Sequence, residues 1–236
     1  ERKDGGVLDP LPQKNIDVGL GLERIAATLA GAPNNFGTDL FEPYIRRIET
    51  LSGKSYGTDA KDDVRMRRIA DHARAVTFCI SDGAVPGNEG RGYVVRKILR
   101  RAVRDGLDLG LEKPVLHDLV DTGGEVMGHA YPEVREHAPQ CRSLIKSEEE
   151  GFAKVYRNGV DRLASWLGNR TGSGEVLEGS GDFAFELHDT YGFPGDITRA
   201  TLADRGFQLD EEGFEAAMKQ QRDRARAATS TSEAVF

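Results

Sequence analysis

The sequence predicts a mainly α-helical protein, preceded by one strand and one helix that belong to a different structural unit. From residue 20 onward, apolar side chains recur at three- and four-residue spacing, and glycine or proline ends most of these segments. Residues 8–19 contain two prolines and no helical period, which is typical of an extended segment. A lone strand cannot satisfy its own backbone hydrogen bonds, so we expect its sheet partners outside this chain.

The helices are predicted in order from this spacing. The first carries Leu22, Ile25 and Leu29 on one face and ends at Gly31. Thr38 is the predicted N-cap of the second helix, and Gly53 ends it. Seven further helices follow, at about 64–80, 91–107, 115–127, 139–167, 183–191, 195–204 and 211–228.

These elements divide the chain into five predicted units. Residues 1–35 hold the strand and first helix, and residues 36–168 form the first part of a helical domain. The glycine- and serine-rich segment 169–181 is a predicted loop or hinge. Residues 182–228 form the second helical part, and 229–236 a frayed tail.

Composition excludes several classes of protein. The 236 residues are 38% hydrophobic and 30% charged, and no apolar run approaches the roughly 18 residues that a membrane span needs. The first residues carry neither an initiator Met nor an apolar signal core, so we expect a piece of a longer chain. Cys79 and Cys141 lack zinc-site spacing, which argues against a metal centre and favours a reduced, cytoplasmic protein.

The charge is distributed unevenly along the chain. The net charge is −7, yet the segment 91–104 holds six cations and no acid. A basic stripe on an acidic body predicts contacts with nucleic-acid phosphates. The alternative is a solvated helix face whose arginines pair with nearby acids, at under about 1 kcal/mol per exposed pair. The six cations are Arg91, Arg96, Lys97, Arg100, Arg101 and Arg104.

Glycines stand where the predicted strand gives way to the first helix. Gly19 and Gly21 would let backbone approach a ligand closely, and a helix N-terminus favours anions. Arg24, one turn into the helix, could pair with a phosphate. The alternative is a glycine turn followed by a solvated arginine. A phosphate-binding P-loop is excluded because no Gly-Lys-Ser/Thr follows.

Several stretches together carry a family resemblance. The stretch NIDVGLGLER at 15–24 resembles motif 3 of the class II aminoacyl-tRNA synthetases, in the form typical of their alanine-specific family. The stretches IADHAR at 69–74, NEGRGYVVRKILRRA at 88–102, DTYGFP at 189–194 and EEGFEAAM at 211–218 resemble the same family in the same order. The resemblance implies that residues 1–35 end a class II catalytic core and that the rest is a helical tRNA-recognition domain.

The resemblance also implies roles in amino-acid activation. Arg24 would contact ATP, Asp17 would receive the ammonium group of alanine, and Gly19 would line the amino-acid pocket. ATP and Mg²⁺ would be the cofactors of the full-length enzyme. Val18 and Leu20 depart from the Thr and Met that are usual in the family.

Two further residues acquire roles in RNA recognition only through the resemblance. Asn88 alone would be interpreted as a turn residue or N-cap, and Asp189 as an ordinary helix-end acid. In the family, an Asn and an Asp at these matching positions recognise a G·U wobble pair in the tRNA acceptor stem. The six cations of the basic helix would contact phosphates of that stem.

Three functions are therefore open. The first is part of a ligase that joins alanine to the 3′ end of its tRNA. We expect this part to be monomeric. We also expect it to be inactive alone, because class II motifs 1 and 2 are absent from these residues. The second is a non-catalytic helical RNA-binding module. The third is a helical DNA-binding regulator, although the turn 83–90 is long for a helix-turn-helix.

Overall fold

The computed structural model describes the backbone of residues 13, 16 and 18–233, and side chains as far as residue 224. Most of the predicted strand at 8–19 lies outside these residues, and so does Asp17. The described part is mainly α-helical, as predicted. Its α-helices are α1 (Leu22–Ala30), α2 (Glu42–Ser52), α3 (Ala60–Ser81), α4 (Gly90–Asp108), α5 (Leu119–Met127), α6 (Pro132–Glu136), α7 (Ala138–Leu167), α8 (Ser180–Tyr191), α9 (Gly195–Asp204) and α10 (Glu211–Glu233).

The helix ends follow from local chemistry, with one correction. Gly31 and Gly53 end α1 and α2 in the left-handed conformation, as predicted. Thr38, however, is not the N-cap of α2. Its hydroxyl donates to the Asn35 carbonyl at 2.6 Å, and α2 begins only at Glu42. The missed cap is Asp59, whose carboxylate accepts the first free N–H groups of α3.

Other boundaries also differ from the prediction. The predicted helix at 139–167 is preceded by the short α6, which Pro132 begins at a position where its missing N–H costs nothing. The α10 backbone continues to Glu233, beyond the predicted start of a frayed tail. The predicted loop ends at Gly179, and Val176 within it pairs with Gln208 in an isolated parallel bridge.

One hydrophobic core joins both helical parts. Ile69 of α3, Leu99 of α4 and Phe152 of α7 are each no more than 1% exposed, and they belong to the same buried cluster as Leu187 of α8. Helix α4 is therefore packed between α3 and α7, and only part of its surface remains open. No helix among the described residues is long and apolar enough to cross a membrane.

Aromatic contacts position the second helical part on the first, among them a stack of Trp166 in α7 on Phe183 in α8 at 4.6 Å and the packing of Phe193. Phe193, between α8 and α9, is fully buried against Gly159 of α7, and its ring centroid lies 6.1 Å from that of Tyr156. A Cβ atom at Gly159 would overlap the Phe193 ring. Glycine at this position therefore sets how closely the α8–α9 junction approaches α7.

We expect Gly159→Ala to lower the free energy of unfolding by about 1–3 kcal/mol, because an added methyl group overpacks this contact. Chemical denaturation measures the change. Gly151→Ala is the matched control on the same helix, where a Cβ atom meets nothing within 4 Å. The control should be neutral or stabilising by up to about 1 kcal/mol. Equal stability of the two variants would contradict the positioning role of Gly159.

Candidate nucleic-acid interface

The six cations of α4 fall into two groups. Arg91, Lys97 and Arg101 are exposed. The i, i+4 stripe of Arg96, Arg100 and Arg104 is half-buried, because it faces neighbouring helices. The stripe predicted to face phosphates is thus partly structural, and the exposed cations lie beside it.

Glu148 of α7 pairs with two arginines of that stripe. The Arg100 Nε atom donates to Glu148 Oε1 at 2.7 Å, and the Arg96 Nε atom lies 3.2 Å from the same oxygen. The Arg100 guanidinium also lies 5.1 Å from the centroid of the Phe152 ring. The alternative interpretation, arginines that pair with nearby acids, is therefore correct for this part of α4, and the pairing acid comes from a different helix.

The C-terminal end of α4 is tied to α3. Asp105 is 1% exposed and accepts two hydrogen bonds from Arg68, at 2.6 and 3.0 Å. The Arg104 Nη2 atom lies 3.4 Å from the same carboxylate. A buried carboxylate needs such partners, so Arg104 contributes to structure as well as to surface charge.

A cavity of about 340 Å³ separates α4 from the second helical part. Five α4 cations line one wall, and residues from α8, α9 and α10 line the other. Arg199 of α9 adds a sixth cation, and Asp196 is the one acid among the lining residues. The α4 cations are Arg96, Lys97, Arg100, Arg101 and Arg104. The arrangement can bind an anionic ligand such as a phosphate.

Ion pairs orient the α9 residues of this cavity. Arg199 donates to both carboxylate oxygens of Glu211, at 2.5 and 2.8 Å. These hydrogen bonds raise the pKa of Arg199 and lower the pKa of the Glu211 carboxyl. Asp196 faces Arg101, with 3.7 Å between Oδ2 and Nε. This pair links α9 to α4 across the cavity.

Asn88 lies in the turn that precedes α4. The Gly87 N–H donates to the Gly92 carbonyl at 3.0 Å, which folds this turn back onto the first turn of the helix. A Cβ atom at Gly92 would lie 2.5 Å from the Val85 carbonyl oxygen, so the turn depends on glycine there. The Asn88 side-chain carbonyl accepts a hydrogen bond from Arg96. One lone pair of that oxygen remains for a ligand.

Asp189 is exposed near the end of α8. Its neighbour His188 lines the cavity, as does Arg96, the partner of Asn88. Both predicted base-reading residues thus adjoin cavity-lining side chains. No hydrogen bond joins Asn88 directly to Asp189 among the described residues.

Gly19, before α1, and Arg24, within it, are predicted activation residues that do not line this cavity. Gly19 and Arg24 are exposed, and a Cβ atom at Gly19 would meet nothing within 4 Å. Asp17 lies outside the described residues. The helix is joined to α3 by a 2.5 Å contact between Glu23 and Arg74. Hydrogen bonds from a backbone N–H and from Arg74 lower the pKa of the Glu23 carboxyl.

The described residues do not form a complete ATP or Mg²⁺ site. Arg24 is the one predicted ATP contact, and no His, Cys, Asp and Glu cluster suited to a metal occurs in the part that the structure describes. The side of α1 that carries Leu22 and Leu29 is exposed to solvent, at 55% and 83%.

Sequence reasoning missed three residues of this interface. Glu148 reaches the α4 arginines only because α7 packs on α4, and Asp196 and Arg199 line the cavity only because α9 lies across it from α4. For Asp196 and Arg199, the one available signal was that both follow directly after the DTYGFP stretch. Glu148 stands in a run of three acids that carried no distinguishing pattern.

We expect Glu148→Gln to destabilise the protein by about 1–3 kcal/mol, because two half-buried guanidinium groups lose their charged acceptor. Thermal or urea unfolding measures the loss. Glu150→Gln removes the same charge from an exposed position on α7 and should change stability by less than about 0.5 kcal/mol. A neutral Glu148 variant would show that the arginine stripe does not depend on α7.

The sequence family described as "tRNA synthetases class II (A)" matches residues 1–236. A protein of Chlorobium chlorochromatii named alanine--tRNA ligase is 46% identical over 229 residues, which are 96% of this chain and 26% of that protein. Proteins of the same name from Pediococcus pentosaceus and Streptococcus pyogenes are 45% and 51% identical, over 99% and 92% of this chain.

The chain spans about a quarter of the length of these relatives, 26% in the first two and 25% in the third. The match runs through both helical parts and through α1, so it includes every described residue of the cavity. The family resemblance of the sequence motifs is thereby confirmed. This chain belongs to the class II (A) tRNA synthetase family.

Proposed function

We propose that this chain is the tRNA-recognising part of a cytoplasmic alanine--tRNA ligase, an enzyme that activates alanine with ATP and transfers it to the 3′ end of tRNA(Ala). The cavity lined by six cations is the observation that carries the proposal. The name shared by its relatives supports the amino acid, because each matches nearly the whole chain. In this proposal the acceptor stem of the tRNA binds to the face of the protein that carries this cavity.

The proposed phosphate contacts are made first by the exposed cations. Arg91, Lys97 and Arg101 can reach solvent, whereas Arg96 and Arg100 are turned toward Glu148. Lys and Arg side chains that neutralise phosphates release counterions, so binding weakens as salt rises. The stripe of Arg96, Arg100 and Arg104 contributes positive potential to the cavity without each side chain having to touch RNA.

The proposed base contacts are made by Asn88 and Asp189. A-form RNA displays base edges in its wide, shallow minor groove, and a guanine paired to uracil presents its exocyclic amino group there. That group is a donor, and it fits the second lone pair of the Asn88 carbonyl or the Asp189 carboxylate. The hydrogen bond from Arg96 orients the Asn88 carbonyl before RNA arrives.

We expect the chain to bind an acceptor-stem RNA duplex with a G·U pair more tightly than one with G·C, and Asn88→Ala or Asp189→Ala to remove that preference. Loss of one base contact costs about 1–3 kcal/mol of discrimination, or roughly 5- to 150-fold. Fluorescence anisotropy titrations of the two duplexes with each variant measure it.

Lys97→Ala is the control for these titrations, because Lys97 is an exposed cavity cation with no proposed base contact. The Lys97→Ala variant should bind both duplexes more weakly, by the same factor. The slope of log affinity against log salt concentration should decrease in magnitude by about one. Equal affinity of the unaltered chain for the G·U and G·C duplexes would refute base reading by Asn88 and Asp189. A duplex DNA that competes as well as RNA would favour a DNA-binding function instead.

The activation chemistry of the proposed enzyme involves α1 and the residues before it. Arg24 would contact ATP, with Mg²⁺ as the accompanying cofactor, and an arginine there offsets charge that develops on the triphosphate. Asp17 would bind the alanine ammonium through a charge-assisted hydrogen bond, and Gly19 would leave space for the amino acid. These assignments rest on the motif 3 resemblance.

We expect the 236-residue chain alone to form no alanyl-adenylate, because its described residues provide a single predicted ATP contact. ATP–pyrophosphate exchange with alanine is the measurement, and an Arg24→Ala variant sets the background. Alanine-dependent exchange above that background would contradict the expectation. RNA binding without exchange would leave the chain functioning as a binding module when it is isolated.

A further inference from the structure

One acid lies among the cations that line the cavity. Asp196 is the second residue of α9, and its carboxylate faces Arg101 of α4. The Asp196 side chain is 36% exposed and that of Arg101 is 44% exposed. The pair is therefore open to solvent and can be broken by a competing anion at little cost.

The surroundings of Asp196 suit a phosphate as well as a carboxylate. Pro194, at the N-cap of α9, provides no side-chain hydrogen bond, and the N–H groups of the first two residues of the helix have no acceptor in the described part of the chain. A Cβ atom at Gly195 would lie 2.8 Å from the Phe214 ring, and this close packing positions the start of α9 against α10. The Arg104 Nε atom, which lacks a hydrogen-bond partner among the described side chains, belongs to a residue that lines the same cavity.

The other cation of α9 is committed elsewhere. Arg199 is bound through two hydrogen bonds to Glu211, so its position does not depend on Asp196. Arg101, by contrast, has Asp196 as its ion-pair partner within the described residues, at the longer distance of 3.7 Å. Displacing Asp196 would therefore release Arg101 and leave the rest of the cavity wall in place.

We propose that Asp196 is an internal competitor for RNA, and that its carboxylate occupies the place of one phosphate of the acceptor-stem backbone until that phosphate displaces it. This inference rests on the proposed function and adds a specific residue to it. Each exchange replaces one negatively charged partner of Arg101 by another, so Arg101 has an ion-pair partner both with and without RNA. The competition lowers RNA affinity by the fraction of molecules in which Asp196 occupies Arg101.

The proposal is tested by anisotropy titration of the 236-residue chain with the G·U acceptor-stem duplex, at about 50 and 200 mM salt. We expect Asp196→Asn to tighten binding about three- to fivefold and Arg101→Gln to weaken it. In the double variant, the Asp196→Asn substitution should give no gain, because the cation for which both anions compete is gone. This last comparison separates local competition from general repulsion between Asp196 and RNA.

Asp204→Asn is the matched control. Asp204 is an exposed acid at the other end of α9 and does not line this cavity, so its loss changes the net charge equally. The control should alter RNA affinity by less than about 1.5-fold. Circular dichroism establishes the helix content of each variant, and Asp196→Ser replaces Asp196→Asn if the latter loses helix.

The outcomes distinguish this inference from the proposed function. A gain of affinity that Asp204→Asn reproduces, or that persists without Arg101, would overturn the competitor role while leaving RNA binding intact. Failure of the unaltered chain to bind the duplex at either salt concentration would overturn the proposed function itself. A titration with inorganic tripolyphosphate completes the test. If the chain binds this anion but not RNA, and Asp196→Asn strengthens that binding, the assignment of the ligand as an RNA backbone is overturned.

Discussion

The candidate interface depends on the contact between Phe193 and Gly159. The Phe193 ring occupies space that any larger residue at Gly159 would fill, and this brings the junction of α8 and α9 against α7. Because α7 also packs on α4 through Glu148 and Phe152, the same helix positions both walls of the cavity. The cavity is thus a consequence of helix packing, to which the missing side chain of Gly159 contributes.

The charges of α4 serve two purposes that sequence alone does not separate. The apolar spacing of α4 places Val95 and Leu99 on its buried face, since a 3.6-residue period fixes which face of a helix points inward. The same period places Arg96 and Arg100 at the edge of that buried face, where a neighbouring helix can reach them. Which acid does so depends on the tertiary arrangement of α7, and no local pattern contains that information.

The helices themselves were largely predictable, because their amphipathic spacing and glycine ends are local signals. The predicted N-cap of α2 was wrong because the side chain concerned has two possible hydrogen-bond partners nearby. Thr38 had the residue type of an N-cap, yet its hydroxyl donates to Asn35 because the chain turns once more before α2 begins. The role of Gly159 could not be predicted from the sequence, because no local pattern explains a glycine inside a long helix. The packing of Phe193 against it in the folded protein explains it.

The net charge of −7 disfavours loose association of the chain with polyanions, whereas the cation-lined cavity attracts them. The Asp196 carboxylate makes binding in this cavity more selective. A ligand gains the contact with Arg101 only if it places a phosphate where the Asp196 carboxylate lies. A polyanion that binds in another register meets the repulsion of Asp196 and gains nothing from Arg101. The internal ion pair therefore lowers affinity for every anion but lowers it least for a duplex of matching shape, which is how a weak contact can contribute to selectivity.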